Sequence, residues 1–185
     1  MLNLPNLLTL SRIAAIPVVV ACFWLNRDWA PWFCMTVFVA ACVTDWFDGY
    51  FARRNHQISR FGRFLDPIAD KLLVAAALVM LVNSGTLRGV HVLAALIILA
   101  REILVSGLRE FLAELRVGLP VSQLAKWKTA VQMLAIALLL VGDAASPMIT
   151  QAGLVLIWIA AGLTLITGYD YLRTGLRHMA EDAPT

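Results

Sequence analysis

Charge is what this chain has least of. Only 15% of its 185 residues are Asp, Glu, Lys or Arg, against roughly 25% in a soluble domain. Hydrophobic residues make up 61%, and the mean hydropathy is +0.79. An apolar excess of this size is lipid-facing surface, not a larger core. No Ser-, Gly- or Pro-rich linker interrupts the chain and no internal repeat is evident, so residues 1–185 read as one domain. Cysteine is also scarce. Cys22, Cys34 and Cys42 fall in apolar stretches without metal-ligand spacing, and read as small buried or lipid-facing residues. The net charge of +3 says little by its size. No nucleic-acid partner is expected.

What is there is a series of six apolar segments, near Leu4–Leu25, Pro31–Phe51, Phe64–Val82, Val90–Leu112, Gln123–Val141 and Met148–Leu172. Each has about the 17–25 residues that a helix needs to cross the hydrocarbon core. The expected fold is therefore an all-α integral membrane protein, a bundle of six transmembrane helices. The first segment lacks a basic leader and a clear small-residue cleavage site, so it is expected to remain in the mature protein. Six spans put both termini on one side. Thirteen of the fifteen Lys and Arg fall on that side or at the adjoining helix ends; only Arg27 and Arg88 fall on the other. The positive-inside rule makes the basic side cytoplasmic.

Against this apolar background stand four aspartates in the stretch Thr44 to Lys71: Asp45, Asp48, Asp66 and Asp70. An ionised carboxylate at membrane depth is costly and usually has a partner and a purpose. Spacings of three and four put each pair on one face of its helix. The basic linker near 52–63 is short, so the two helices are expected to be antiparallel neighbours with converging acids. Four carboxylates repel one another unless cations lie between them. Oxygen-only ligands favour Mg²⁺ or Mn²⁺ over zinc, and four can hold two metals. Gly49, Ala52 and Gly62 leave room for a ligand beside the acids, and Arg53 can donate two parallel hydrogen bonds to a phosphate. Pro67 is expected in the first turns of its helix; an earlier start would make it free a carbonyl near the site.

The order D-x2-D-G-x2-A-R-x8-G-x3-D-x3-D is met at Asp45, Asp48, Gly49, Ala52, Arg53, Gly62, Asp66 and Asp70. It resembles the signature of the CDP-alcohol phosphotransferases, and eight positions at fixed spacing are a specific signal. The resemblance implies six transmembrane helices, usually in a homodimer, with an active site open to the cytoplasm of a bacterial inner membrane. It implies that Asp45, Asp48, Asp66 and Asp70 hold two divalent cations, and that Asp70 is the catalytic base. It also implies that Asp48, Gly49, Ala52, Arg53 and Gly62 surround the donor, CDP-diacylglycerol.

The signature fixes the donor class and leaves the acceptor to the rest of the chain. Arg101 lies about ten residues inside its apolar segment, so its charge calls for an anion. Glu102 is too near in sequence to face it squarely. Arg109 is two turns away from Arg101 on the same face, and Lys126 and Lys128 open the fifth segment. A cluster of Arg101, Arg109 and one or both lysines suits a dianionic phosphate on a small acceptor. Asn6, Thr9 and Arg12, spaced by three in the first segment, are further polar candidates for the acceptor pocket. Beyond the signature, PNLLTLSR, AREILVSGLRE and KWKTAVQM are similar to the family members that use sn-glycerol 3-phosphate, a likeness weaker over the last helix. The alternatives are another acceptor within the family, inositol phosphate or phosphatidylglycerol, or a divalent-cation path without chemistry. The last is disfavoured by the lack of a second acidic cluster; the outer linkers offer only Asp28 and Asp143.

Overall fold

In the computed structural model, the backbone is described for residues 4–55, 60–114 and 123–181, and side chains for 7–44, 65–113 and 123–175. The described chain is helical, with no strand. The helices are α1 (Leu4–Cys22), α2 (Ala30–Asn55), α3 (Arg60–Asn83), α4 (His91–Glu114), α5 (Gln123–Val141) and α6 (Pro147–Glu181), with one 3-10 turn at Gly142–Ala144. The all-α expectation holds, and each helix falls on one expected apolar segment.

Among the described residues, three helices contain stretches long and apolar enough to cross a membrane: His91–Ala113, Gln123–Ala144, which runs on through the 3-10 turn, and Pro147–Gly175. In α1 and α2 the described apolar stretches are shorter, Leu7–Cys22 and Ala30–Thr44. Helix α3 carries Asp66, Asp70 and Lys71 in its first half, which leaves a shorter apolar run after Leu72. The surface supports the lipid setting. Large apolar side chains stand outward in mid-helix, with Ile103 at 70% exposure and Leu96, Val155, Leu165 and Ile166 also exposed. In a water-soluble bundle these faces would associate.

Helix α1 packs on α2 and α3, α2 packs on α5, and α6 packs along α5 and α4. Small residues set the α6 spacing. A Cβ on Gly153 would lie 2.8 Å from Leu139 Cγ, so α5 crosses α6 there almost backbone to backbone. Gly168 and Gly175, two turns apart, face Arg101 and Leu108 of α4 in the same way. Just beyond α3, Gly85 adopts a positive φ of 77°, open to glycine at little cost. The chain turns there, and buried Leu87 donates its N–H to the Leu81 carbonyl at 2.9 Å.

Two boundaries differ from expectation and bear on the site. Helix α2 continues to Asn55 and α3 begins at Arg60, so the connection shrinks to residues 56–59. Pro67 therefore lies inside α3, seven residues from its start. Without an N–H it cannot give the helical hydrogen bond to the carbonyl of residue 63.

Candidate active site

Most of the charged residues described gather at one end, where α1, α3 and α5 begin and α4 and α6 approach their finish. Asp66 and Asp70 lie one turn apart on α3, as their spacing predicts. Thr9 Oγ1 donates to Asp66 Oδ1, and Arg12 Nη2 reaches the same oxygen at 3.3 Å. Arg12 is 1% exposed, while the Asp66 side chain is 43% exposed. The guanidinium is thus buried under the carboxylate, and the carboxylate still faces open space. Thr9 and Arg12 are brought to the aspartate group and do not line the cavity of the cation group. Asn6 lies on α1, but its side chain is outside the described residues.

Asp45, Asp48, Gly49, Ala52 and Arg53 lie on α2 and Gly62 on α3, all with side chains outside the described residues. Among the described residues no three His, Cys, Asp or Glu side chains form a metal cluster. What is described of the acidic group is Asp66 and Asp70 on α3.

The cation group is assembled from four helices. A cavity of about 240 Å³ is lined by Asp70 and Lys71 of α3, Arg101, Glu102 and Arg109 of α4, Lys128 of α5 and Tyr171 of α6. A second cavity of about 280 Å³ shares Lys71, Arg101, Glu102 and Arg109 with it. Asp70 and three of the expected phosphate-binding cations therefore line one space. Lys126 does not line either cavity and its side chain is exposed.

Lys128, 4% exposed, donates to Glu102 Oε1. The same oxygen lies 3.4 Å from Arg101 Nη1. Arg101 Nη2 donates to Thr167 Oγ1 at 2.9 Å, and its guanidinium carbon lies 5.8 Å from the centre of the Tyr171 ring. Its buried Nε has no hydrogen-bond partner among the described residues. Lys71 donates to Ser106. Lys71, Thr167 and Tyr171 are the residues that sequence reasoning missed. In the sequence, Lys71 reads only as part of the positive flank. Thr167 and Tyr171, four apart on the apolar last helix, are a polar signal that could have found them.

A larger cavity, of about 760 Å³, is elsewhere. It lies at the opposite end of the bundle, between the α1–α2 and α5–α6 connections, and contains none of the residues above.

The family model for CDP-alcohol phosphatidyltransferases matches residues 2–166. The chain belongs to this family. Similar proteins include three named CDP-diacylglycerol–glycerol-3-phosphate 3-phosphatidyltransferase. That of Rickettsia bellii is 50% identical over 173 residues, covering 92% of this chain and 94% of its own length. Those of Pseudomonas fluorescens and Pectobacterium atrosepticum are each 44% identical, over 185 and 181 residues, covering 98% and 97% of this chain and 94% and 98% of their own lengths. The chain is thus an enzyme of the CDP-alcohol phosphatidyltransferase family and a multi-pass membrane protein.

CDP-alcohol phosphatidyltransferases generally depend on a divalent metal. The described part of the site fits that requirement. It offers two carboxylates on one face of α3, one of them open on one side, with no thiolate or imidazole lining the adjoining cavity. Such a donor set suits a hard cation.

Proposed function

We propose that this enzyme transfers the phosphatidyl group of CDP-diacylglycerol to sn-glycerol 3-phosphate, giving phosphatidylglycerophosphate and CMP. The names of its relatives state both substrates for those proteins. The observation that carries the reading for this chain is the cavity that joins Asp70 to Lys71, Arg101, Arg109 and Lys128. Four cationic side chains against two carboxylates, Asp70 and Glu102, give its lining a formal charge of +2. A phosphomonoester carries a charge close to −2 at neutral pH. The cavity volume of about 240 Å³ is below the roughly 300–1,000 Å³ of pockets for drug-sized ligands, which favours a small acceptor.

Asp45, Asp48, Asp66 and Asp70 would hold two divalent cations, Mg²⁺ or Mn²⁺. When bound, these neutralise the donor diphosphate and stabilise charge on the leaving group. The remaining roles belong to the chain itself. Gly49, Ala52 and Gly62 admit the cytidine diphosphate, and Arg53 donates to its phosphate oxygens. Thr9 and Arg12 hold the Asp66 carboxylate in orientation. Arg101, Arg109, Lys71 and Lys128 bind the acceptor phosphate and leave the acceptor hydroxyl toward Asp70. The hydroxyl oxygen bonds to the lipid-side phosphorus, and the bond from that phosphorus to the bridging diphosphate oxygen breaks. CMP leaves with the electron pair, and the hydroxyl proton passes to Asp70.

We place the enzyme in the bacterial cytoplasmic membrane as a single six-span domain acting as a homodimer, with both termini and the site on the cytoplasmic side. The concentration of basic residues at the site end of the bundle supports that orientation. Such a site lets donor tails stay in lipid while the nucleotide and the acceptor come from water.

The test is an acceptor screen with purified enzyme and Mg²⁺, read as CMP release from CDP-diacylglycerol. Release is expected with sn-glycerol 3-phosphate and not in its absence. Release with inositol phosphate, serine or phosphatidylglycerol, but not with glycerol 3-phosphate, would overturn the acceptor assignment.

A further inference from the structure

Helix α6 carries none of the signature residues, yet three of its residues lie against Arg101. We propose that Thr167, Gly168 and Tyr171 form a cradle on α6 that fixes the Arg101 guanidinium in the cavity and so sets the affinity for the phosphate-bearing acceptor. The proposal rests on the reading of Arg101 as a ligand of the acceptor phosphate.

Each member of the cradle constrains a different part of the side chain. A Cβ on Gly168 would lie 3.0 Å from Arg101 Cγ and 3.5 Å from Nε. Cγ is near the root of the side chain, so relieving that contact moves everything beyond it. Thr167 Oγ1 accepts from Nη2 at 2.9 Å and donates its own proton to the Leu163 carbonyl at 2.8 Å. With its proton committed to the helix backbone, the hydroxyl can only accept from the arginine. The Tyr171 ring, one turn further, is within the roughly 6 Å at which a ring face attracts a cation.

All three partners are uncharged. They hold the guanidinium in place without neutralising it. The nearest carboxylate contact is Glu102, and its oxygen is shared with Lys128. Nε remains a buried donor without a hydrogen-bond partner among the described residues. A cation fixed largely by neutral groups, in a cavity whose lining carries more positive than negative side chains, is prepared for an anion that arrives from outside the protein. The cradle residues are positioning residues, since they act through Arg101.

Ordinary helix packing predicts something different, and Gly175 provides the control. It lies in the same α4–α6 seam, where a Cβ would meet Leu108 Cδ1 at 3.0 Å and Leu112 Cδ1 at 3.2 Å, with no arginine. The experiment measures KM for sn-glycerol 3-phosphate and for CDP-diacylglycerol, kcat and thermal stability in full-length Gly168→Ala, Thr167→Val, Thr167→Ser, Gly175→Ala and Arg101→Ala enzymes. Gly168→Ala and Thr167→Val are expected to raise the acceptor KM about tenfold, with the donor KM unchanged. Thr167→Ser restores the wild-type value, and Gly175→Ala alters stability without altering the acceptor KM. Thr167→Val preserves shape and covers the case in which Gly168→Ala fails to fold. Should Arg101→Ala raise the acceptor KM while Gly168→Ala and Thr167→Val leave it at the wild-type value, the cradle is overturned and the acceptor reading stands. An Arg101→Ala enzyme with an unchanged acceptor KM would instead overturn the reading on which the cradle depends.

Discussion

Arg12, buried, and Arg101, largely covered with 11% of its side chain exposed, both lie at the charged end of the bundle, but the groups around them differ in charge. At the α1–α3 junction, Arg12 meets the Asp66 carboxylate at 3.3 Å, and Thr9 donates to the same oxygen. At the α4–α6 junction, Arg101 is held by a threonine and an aromatic ring and shares the Glu102 carboxylate with Lys128. Burying a guanidinium is costly in either place. The first is balanced within the protein, while the second stands in a cavity with an excess of positive charge. On the proposed reading, the charge of the partner separates an arginine that maintains a site from one that awaits a ligand.

Five substitutions, one of them a comparison, probe this contrast. The largest effect is expected from Asp66→Asn, which keeps the shape and removes the charge at the α1–α3 junction. Turnover, read as CMP release, should fall by at least about a thousandfold; a near-normal rate in this variant would remove the carboxylate from the site. Next, Arg101→Met should raise the acceptor KM about 10- to 100-fold, the loss of one or two charge-assisted hydrogen bonds, with kcat little altered. Arg12→Met should behave oppositely, lowering kcat about tenfold through a misplaced Asp66 and leaving the acceptor KM nearly constant. If both variants changed the same parameter, the distinction between the two arginines would be lost. Smaller again is Lys128→Met, expected to raise the acceptor KM about tenfold while releasing Glu102 to neutralise Arg101. The same exchange at exposed Lys126 serves as its comparison and should change KM by no more than about twofold. An equal effect at both lysines would return Lys126 to the acceptor site.

The two junctions are unequally legible in the sequence. Asp66 and Asp70 announce themselves because charge stands out in an apolar helix and a spacing of four fixes their common face. Arg101 and Arg109 share a face by the same arithmetic. Lys126 and Lys128 are two apart, about 200° around the helix, so both cannot point into one cavity. That much is deducible, but which of them faces inward depends on how α5 rotates against α4. Lys71 sits about 100° from Asp70 around α3 and passes as an ordinary flanking charge until α4 brings Ser106 to it. The partners of Thr9 and Arg12 belong to helix pairing, and no local pattern states that α1 lies on α3. Pro67 shows the limit of boundary reading. Its position inside α3 follows from a helix that starts at Arg60, before the apolar run begins.

The length of α6 has a consequence for where the two substrates meet. Its 35 residues extend about 50 Å at 1.5 Å per residue, well beyond a hydrocarbon core of about 30 Å. Counted from Pro147, about 20 residues bring the helix through that thickness, to the level of Thr167. The last helix thus acts as a depth gauge. On the proposed reading it would hold Arg101 near the plane where acyl chains give way to headgroups, so that a water-borne phosphate need descend no further than the diphosphate of a lipid lying there.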